Sequence, residues 1–215
     1  IRQKTIDSRL INLKRMTPHI GALKLTDLKP NHISCMYERL RETLSDYSVK
    51  QAHATLRKAL RDAIKEGSII ANPIDRLIEV PTVKATEIKP LTIDEVKSLV
   101  SLDDKWTPLW TLLVYTGLRR GEALGLTWDN VDLDSDTPSI KVIKSLVTTR
   151  SNGLQVNDPK TEKSKRVVPI GISVVQVLKQ HRVKQNETRL RLGHQWKNNN
   201  LVFPNTTGGF IEPSV

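Results

Sequence analysis

Two adjacent arginines stand in the middle of the chain, in the segment TGLRRGEALGLTWDNVD (residues 116–132). Arg119 and Arg120 follow Gly117, where the apolar run LWTLLVYTG ends and a new helix is expected to begin. Backbone N–H groups at the start of a helix are free, and the helix dipole is positive there. A guanidinium added at that place can bind two non-bridging phosphate oxygens in a planar fork. The pair is therefore a candidate phosphate-binding site.

A carboxylate and a lysine extend this candidate site. Glu122 follows Arg119 by three residues, so it can lie on the same helix face and hold the guanidinium in place. Lys160, in NDPKTEKSKRVVPI, falls in a turn between two predicted strands, where it could enter a DNA groove or donate a proton to a leaving oxygen. Each pattern also has a simpler interpretation. Arg119 and Glu122 could form an ordinary helix ion pair, and Lys160 could lie in a solvated turn. Taken alone, each pattern favours its simpler interpretation.

The charge balance indicates an anionic partner. Lysine and arginine outnumber aspartate and glutamate by 34 to 23, which gives a formal charge of +11, and both halves of the chain are net basic. Nucleic acid is the commonest partner of such a chain. The single cysteine, Cys35, excludes an internal disulfide framework and a multi-cysteine metal site, and it fits a reduced, cytoplasmic setting. No apolar run reaches the roughly 18 to 20 residues of a membrane span.

Residues 1–77 are predicted to form a helical domain. Three segments carry apolar residues at helical spacing: Ile6, Leu10, Leu13 and Met16; Ile33, Met36, Tyr37 and Leu40; and Val49, Ala52, Leu56, Ala59, Leu60 and Ile64. Gly21 and Gly67 fit the ends of the first and third helices, and Asp27 or Asn31 is expected to cap the second. A short helix is expected in ANPIDRL.

Residues 78–91 have two prolines and no amphipathic period, which predicts an extended linker. A second domain, residues 92–215, begins with a capping box formed by Thr92 and Glu95. KWTPLWTLLVYTG predicts a buried helix, SIKVIKSLVTT and KRVVPI predict strands, and SVVQVLKQHRVKQNETRLRL predicts another helix. The expected fold class is mainly α with a small antiparallel β-sheet.

This succession of motifs resembles the tyrosine recombinases, the lambda-integrase-like family of phage and mobile-element integrases. The resemblance covers nearly the whole chain. TGLRRGE followed by LTWDNVD is its most specific part, and PKTEKSKRVVPI in the expected order is the second. The resemblance implies a helical, SAM-like core-binding domain over residues 1–77 and a partial α+β catalytic domain over residues 92–215.

The resemblance also implies residue roles. Arg119 matches the catalytic arginine that contacts the scissile phosphate, Glu122 the acidic residue that supports it, and Lys160 the lysine that protonates the 5′-oxygen leaving group. Arg120 matches a variable position and is interpreted as a surface or DNA-backbone contact. The further candidate DNA contacts are Lys163, Lys165 and Arg166. In this family a tyrosine attacks the phosphodiester and forms a 3′-phosphotyrosyl bond, without ATP, a metal or another cofactor.

The family pattern continues with a His-x-x-Arg box, a further His or Trp and the nucleophilic tyrosine, none of which precedes Val215. Tyr37 and Tyr47 lie in the helical domain and Tyr115 in the run predicted to be core, so none matches the nucleophile. The histidines are interpreted as ordinary surface or cap residues: His19, His32, His53, His181 and His194. We therefore expect this chain to bind DNA without cleaving it.

Two hypotheses of function stay open at the level of sequence. The first is a fragment of a site-specific DNA recombinase, and the second is a non-catalytic DNA-binding protein with a degenerate recombinase fold. A type IB topoisomerase shares the chemistry, but the motif order and the helical first domain favour the recombinase. The expected partners are double-stranded DNA with a specific core site, three further copies of the longer protein in a homotetramer, and accessory DNA-bending or excision factors.

Overall fold

A computed structural model divides the chain into two compact units, Ile1–Ile88 and Lys89–Val215. The structure describes residues 1–76, 79, 81–83, 87, 89–158 and 165–212. The division falls inside the segment predicted as a linker, residues 78–91. Within the described residues, none of the helices combines the length and the apolar character that a membrane-spanning segment needs.

In the described part of the first unit, three α-helices form its framework: α1 (Gln3–Ile20), α2 (Pro30–Arg41) and α3 (Asp46–Lys65). One short 3-10 turn lies between α1 and α2, at Leu25–Asp27, and another follows α3, at Pro73–Arg76. The buried core consists of Met16, Ile33, Met36, Tyr37, Leu40, Val49, Ala52, Leu56, Leu60 and Ile74. The apolar face predicted for α2 is wholly buried, and four of the six residues predicted for α3 are buried. Ala59 and Ile64, the other two, lie outside this core.

The face predicted for α1 is mostly wrong. Ile6, Leu10 and Leu13 are exposed, and the helix instead buries Asn12 and Met16. The amide Nδ2 of Asn12 donates to the Gln51 carbonyl of α3 at 3.2 Å and to the Thr55 hydroxyl at 2.9 Å. These bonds compensate the burial of a polar side chain, so the helix presents Asn12 to α3. A hydrophobicity pattern contains no information on such a polar anchor.

The helix ends follow local backbone chemistry. α1 ends before Gly21, and Gly67 after α3 has a left-handed φ of 73°, which favours glycine. The expected cap of α2 is wrong, because Lys29 occupies the cap position and Pro30 opens the helix. The backbone N–H of Lys29 donates to Nδ1 of His32 at 3.3 Å. His32 is therefore a cap histidine, as predicted.

The second unit begins with α4 (Ile93–Val100), α5 (Thr107–Thr116) and α6 (Arg120–Leu124). The predicted capping box opens α4: Glu95 N donates to the Thr92 hydroxyl at 3.3 Å, and Thr92 N donates to the Glu95 carboxylate at 2.7 Å. α5 buries Leu109 and Leu112. Tyr115 was expected in this core but is 56% exposed. It lies in the last turn of α5, and apolar composition does not specify which residues of a short helix meet a neighbour.

Among the described residues, five strands form two antiparallel sheets: β1 (Val131–Asp132), β2 (Ser139–Val142) and β5 (Arg166–Pro169) in one, and β3 (Ser145–Thr149) and β4 (Gly153–Asn157) in the other. The segment predicted as one strand, SIKVIKSLVTT, thus contributes to both sheets. The strand β4 was not predicted. The long helix α7 (Ile172–Leu192) follows β5 and is the helix expected there. The fold is mainly α with small antiparallel sheets, as predicted.

Candidate active site

Arg119 occupies the position that caps α6. Helix α5 ends at Gly117, whose left-handed φ of 63° lets the chain reverse, and Leu118 is buried behind it. Arg119 then has an extended backbone, and α6 starts at the next residue. Its side chain is 78% exposed. The fold therefore anchors the backbone of Arg119 while leaving its charged group accessible to a ligand.

Glu122 holds Arg119 at two points. The Arg119 backbone N–H donates to Oε2 of Glu122 at 2.9 Å, and Nη1 of Arg119 donates to Oε1 at 3.0 Å. The Glu122 side chain is only 8% exposed. The pair predicted from the three-residue spacing is therefore formed in the structure, and its carboxylate lies inside the protein surface.

Arg166 binds the same carboxylate from the other side. Its Nη1 donates to Oε1 of Glu122 at 3.1 Å and its Nη2 donates to Oε2 at 2.8 Å, a bidentate pair. Arg166 begins β5, where it is paired with Val142 of β2. Sequence reasoning named Arg166 as a DNA contact and missed this partner, because 44 residues separate the two side chains.

The electrostatics of this cluster favour an ionised carboxylate. Burial raises the pKa of Glu122, but hydrogen bonds from Arg166 and from the backbone and guanidinium of Arg119 outweigh it and bring the pKa to about 2. The hydrogen bond to Glu122 likewise raises the pKa of Arg166. One carboxylate between two arginines leaves the cluster with one net positive charge at neutral pH.

Two glycines let α6 approach β3 closely. A Cβ atom on Gly121 would lie 2.6 Å from the Leu146 carbonyl oxygen, and one on Gly125 would lie 2.9 Å from the Leu146 nitrogen. Real Cβ atoms do not approach backbone atoms so closely, so the helix rests on the strand only because these residues lack side chains. Arg119 and Glu122 are thus positioned by a rigid contact between α6 and β3.

The remaining predicted site residues have different outcomes. Arg120 and Lys165 are exposed, and Arg120 forms no hydrogen bond with Glu122. Lys160 and Lys163 lie outside the described residues. The strands on either side of that segment, β4 and β5, belong to different sheets. In the part of the chain that the structure describes, no three His, Cys, Asp or Glu side chains gather into a group that could hold a metal ion.

Two histidines pack against other side chains and are not the ordinary surface or cap residues that were predicted, and His181 is half-buried. His53 is buried, with Nδ1 at 2.8 Å from the Tyr37 hydroxyl. His181 donates from Nε2 to the Val202 carbonyl at 2.7 Å, and its ring stacks on Phe203. Burial lowers the pKa of both imidazoles. These partners account for the two histidines as packing residues.

Comparison with known proteins identifies the family of the chain. Residues 89–212 match the phage integrase family. The chain belongs to the phage integrase family. An integrase of Streptomyces ambofaciens is 29% identical over 96% of this chain and 54% of its own length. The chain thus spans about half the length of the relatives it matches.

Solved integrase structures share this fold. The Tn1549 transposon integrase, in complex with transposon right end DNA, superposes with a TM-score of 0.77 at 23% identity, over 100% of this chain and 67% of that one. A lambda integrase tetramer bound to a Holliday junction has a TM-score of 0.63 at 20% identity, over 99% of this chain and 54% of that one. These likenesses establish a common phage-integrase fold.

Proposed function

We propose that this chain is the DNA-binding and phosphate-activating part of a tyrosine-type site-specific recombinase that integrates or excises a mobile element in the cytoplasm. The observation that carries the proposal is the cluster of Arg119, Glu122 and Arg166. An exposed guanidinium, fixed by a buried carboxylate at the start of a helix, is what recognition of a scissile phosphate requires. The family match supports the same chemistry.

The role of Arg119 follows from its unused donors. A guanidinium has five N–H donors, and Glu122 accepts from Nη1, so the remaining donors can face a phosphate. When a tyrosine attacks a phosphodiester, negative charge builds up on the non-bridging oxygens. A donor already held in place stabilises that charge without reorganisation. Arg119 is therefore proposed as the group that binds the scissile phosphate in the transition state.

Arg166 is proposed as a positioning residue that acts through Glu122. It fixes both carboxylate oxygens from β5, and Glu122 in turn fixes the backbone and guanidinium of Arg119. Arg166→Ala is expected to raise the pKa of Glu122 in the isolated chain, measured by carbon NMR of the carboxylate. Arg166→Lys should keep part of the lowering of the Glu122 pKa. An unchanged pKa in Arg166→Ala would remove the positioning role.

The decisive test uses a longer natural protein that contains this chain. Arg119→Ala should abolish DNA cleavage while most DNA affinity remains, because a single catalytic donor contributes more to the transition state than to binding. Arg120→Ala is the matched control, since it removes a neighbouring exposed charge that has no contact with Glu122. Equal loss of cleavage in both variants would contradict the assignment of Arg119.

Lys160 is proposed as the general acid that protonates the 5′-oxygen leaving group. Lys160→Ala should slow cleavage of ordinary DNA, and a substrate whose leaving group needs no proton should restore the rate. Lys163→Ala provides a control with the same change of charge. If the modified substrate does not restore the rate, Lys160 has no role as acid.

The chain of 215 residues is itself proposed to bind DNA without cleaving it. Tyr37 is buried, and the exposed Tyr47 and Tyr115 do not match the nucleophile of the family. No covalent protein–DNA adduct should form on a suicide substrate, and an adduct would contradict the proposal. A longer protein that also binds DNA without forming any adduct would favour a non-catalytic DNA-binding function.

Binding should be dominated by phosphate contacts and should therefore weaken steeply with salt. Each contact contributes about 0.9 to the slope of log affinity against log salt concentration. A flat salt dependence would contradict DNA binding. For the longer protein we propose a homotetramer on DNA with a specific core site and accessory DNA-bending or excision factors. Mass measurement of the protein–DNA complex tests the tetramer.

A further inference from the structure

A basic pocket lies on the second unit, beside the C-terminal half of α7. The pocket has a volume of about 260 Å³. Helix α7 contributes Arg182, Asn186 and Arg189, and the segment after it contributes Lys197 and Asn198, with Trp128 at one wall. Arg182, Asn186 and Arg189 lie at helical spacing on one face of α7, so their side chains converge. We call this cavity the α7 pocket; Arg119, Glu122 and Arg166 do not line it.

The charges of the α7 pocket are uncompensated. Its lining contains three cations, Arg182, Arg189 and Lys197, and no carboxylate. None of the three forms an ion pair with any residue that the structure describes. Like charges that converge in one cavity repel each other, and a bound anion relieves that repulsion. The pocket therefore has the electrostatics of an anion site.

Neutral hydrogen-bond donors and an aromatic side chain in the pocket indicate which class of anion it can bind. The side-chain amides of Asn186 and Asn198 have no hydrogen-bond partner among the described residues. Amide N–H groups and guanidinium forks are the donors that bind phosphate oxygens in proteins. The Arg182 guanidinium lies 5.1 Å from the centroid of the Trp128 ring, which restricts its position. A group with several oxygens, such as a phosphate, fits this set.

The walls of the pocket are held in place by contacts that do not involve the free donors. Trp128 donates from Nε1 to Gln185 at 2.6 Å, and Gln185 donates to the Leu201 carbonyl at 2.9 Å. A Cβ atom on Gly208 would collide with the Lys197 carbonyl and the Trp196 ring, so the backbone packs tightly there. Preorganised walls reduce the entropy lost when a ligand binds.

We propose that the α7 pocket is a second phosphate-binding site, in which Arg182, Arg189 and Lys197 bind the phosphate of an organic phosphate. The phosphate belongs either to the DNA backbone or to a free nucleotide, and the chemistry of recognition is the same. The proposal does not depend on DNA cleavage or on Arg119. It adds an anion site to the chain beyond the proposed function.

Calorimetric titration of the whole chain with inorganic pyrophosphate tests the site. The test variant is Arg182→Gln with Arg189→Gln. The control variant is Lys184→Gln with Arg191→Gln, which removes the same charge from the same helix outside the pocket. Affinity for pyrophosphate should fall by about tenfold or more in the test variant, because two charge-assisted hydrogen-bonding groups are lost. The control should change it by less than about twofold.

The same variants identify the source of the phosphate. If a DNA duplex contacts the pocket, the salt slope of DNA binding falls by about 0.9 for each lost phosphate contact in the test variant alone. If that slope is unchanged while pyrophosphate affinity falls, the ligand is a free phosphate compound. Absence of pyrophosphate binding, or equal losses in test and control variants, overturns the site. Loss of binding in Arg119→Ala alone also overturns it, and leaves the proposed function intact.

Discussion

Each unit of this protein contains a buried polar cluster, and the two clusters solve the problem of burial differently. In the first unit, the Tyr37 hydroxyl and the His53 imidazole satisfy each other inside a helical core. In the second unit, Glu122 is buried beneath two arginines that remain partly exposed, 78% for Arg119 and 33% for Arg166. The first cluster is part of a buried core, and the second places charged guanidinium groups at the surface.

The pKa directions express this difference. Burial raises the pKa of Tyr37 and, together with the Arg57 charge, lowers the pKa of His53, so both groups are held neutral. Burial raises the pKa of Glu122, but hydrogen bonds from Arg166 and Arg119 and the charge of Arg166 outweigh it and lower this pKa to about 2. A tyrosine and a histidine are catalytic residue types, but here only the carboxylate with arginine partners keeps a charged group accessible for chemistry.

The largest expected effect comes from removing the carboxylate of the charged cluster. Glu122→Ala should lower the free energy of unfolding of the second unit by about 2 to 3 kcal/mol, because Arg166 and the Arg119 N–H lose their acceptor. Glu187→Ala is the control, since this exposed side chain of α7 should change stability by less than about 0.5 kcal/mol. The free energy of unfolding is measured by urea titration with tryptophan fluorescence as the signal, because all four tryptophans lie in the second unit. Equal effects would mean that the cluster contributes no stability.

The neutral pair should tolerate replacement by apolar groups. Tyr37→Phe alone leaves His53 without its partner and should cost about 1 kcal/mol, whereas Tyr37→Phe with His53→Leu should lie within about 0.5 kcal/mol of the natural protein. Glu122→Leu with Arg166→Leu should still cost about 2 kcal/mol, because the Arg119 N–H stays unpaired. Urea midpoints of the three variants test the contrast. A costly double replacement in the first unit would show that its pair is more than a packing device.

Acid should affect the two clusters in different pH ranges. The folded pKa of His53 lies below 6.5, so the unfolded chain binds more protons and stability is lost as pH falls below 6.5. The folded pKa of Glu122 is about 2 and its ordinary value is 4.5, so its contribution is complete above 4.5 and is lost as pH falls towards 2. His181 adds a loss below 6.5 in the second unit.

Variants separate these acid effects. Tyr37→Phe with His53→Leu should flatten the stability of the first unit below pH 6.5, and Glu122→Gln should flatten that of the second unit between pH 4.5 and 2. Amide NMR follows the first unit, and tryptophan fluorescence follows the second. Arg57 and Asp75, the charged groups near His53, stay in place in these variants. An unaltered pH profile in either variant would contradict the corresponding pKa direction.

The smallest expected effects concern helix caps. Thr92→Ala removes one half of a reciprocal capping box in the second unit, and Ser45→Ala removes a single acceptor at 3.4 Å from Ser48 N in the first. Both should cost about 1 kcal/mol or less, with the larger cost at Thr92. Thermal unfolding of both variants tests the order. A larger effect at Ser45 would show that the geometry of the cap matters less than its location.

Local rules predicted the features whose partners are near in sequence. The Thr92 box, the left-handed glycine that ends α3, and the contact of Arg119 with Glu122 three residues later all belong to this class. Each depends on backbone geometry within one helical turn, which residue spacing specifies directly. The motif order in the second half of the chain was also sufficient to indicate the family.

Contacts between residues far apart in the sequence could not be predicted. One of them, between Arg166 and Glu122, holds the carboxylate of the candidate site in place. Arg166 reaches Glu122 only because β5 pairs with β2 and α6 rests on β3.

The faces of single helices depended on tertiary contacts too. The buried face of α1 includes Asn12, which bonds to α3, and not the predicted apolar residues. His53 is buried and His181 is half-buried, and Tyr37 and Val202 supply their hydrogen bonds. The sequence alone thus determined the fold class, the ends of α1 and α3, the start of α4 and the Arg119–Glu122 pair; the helix ends and this pair depend on contacts within one helical turn. Only the tertiary structure decided which polar side chains are buried, because their desolvation is compensated by groups far along the chain.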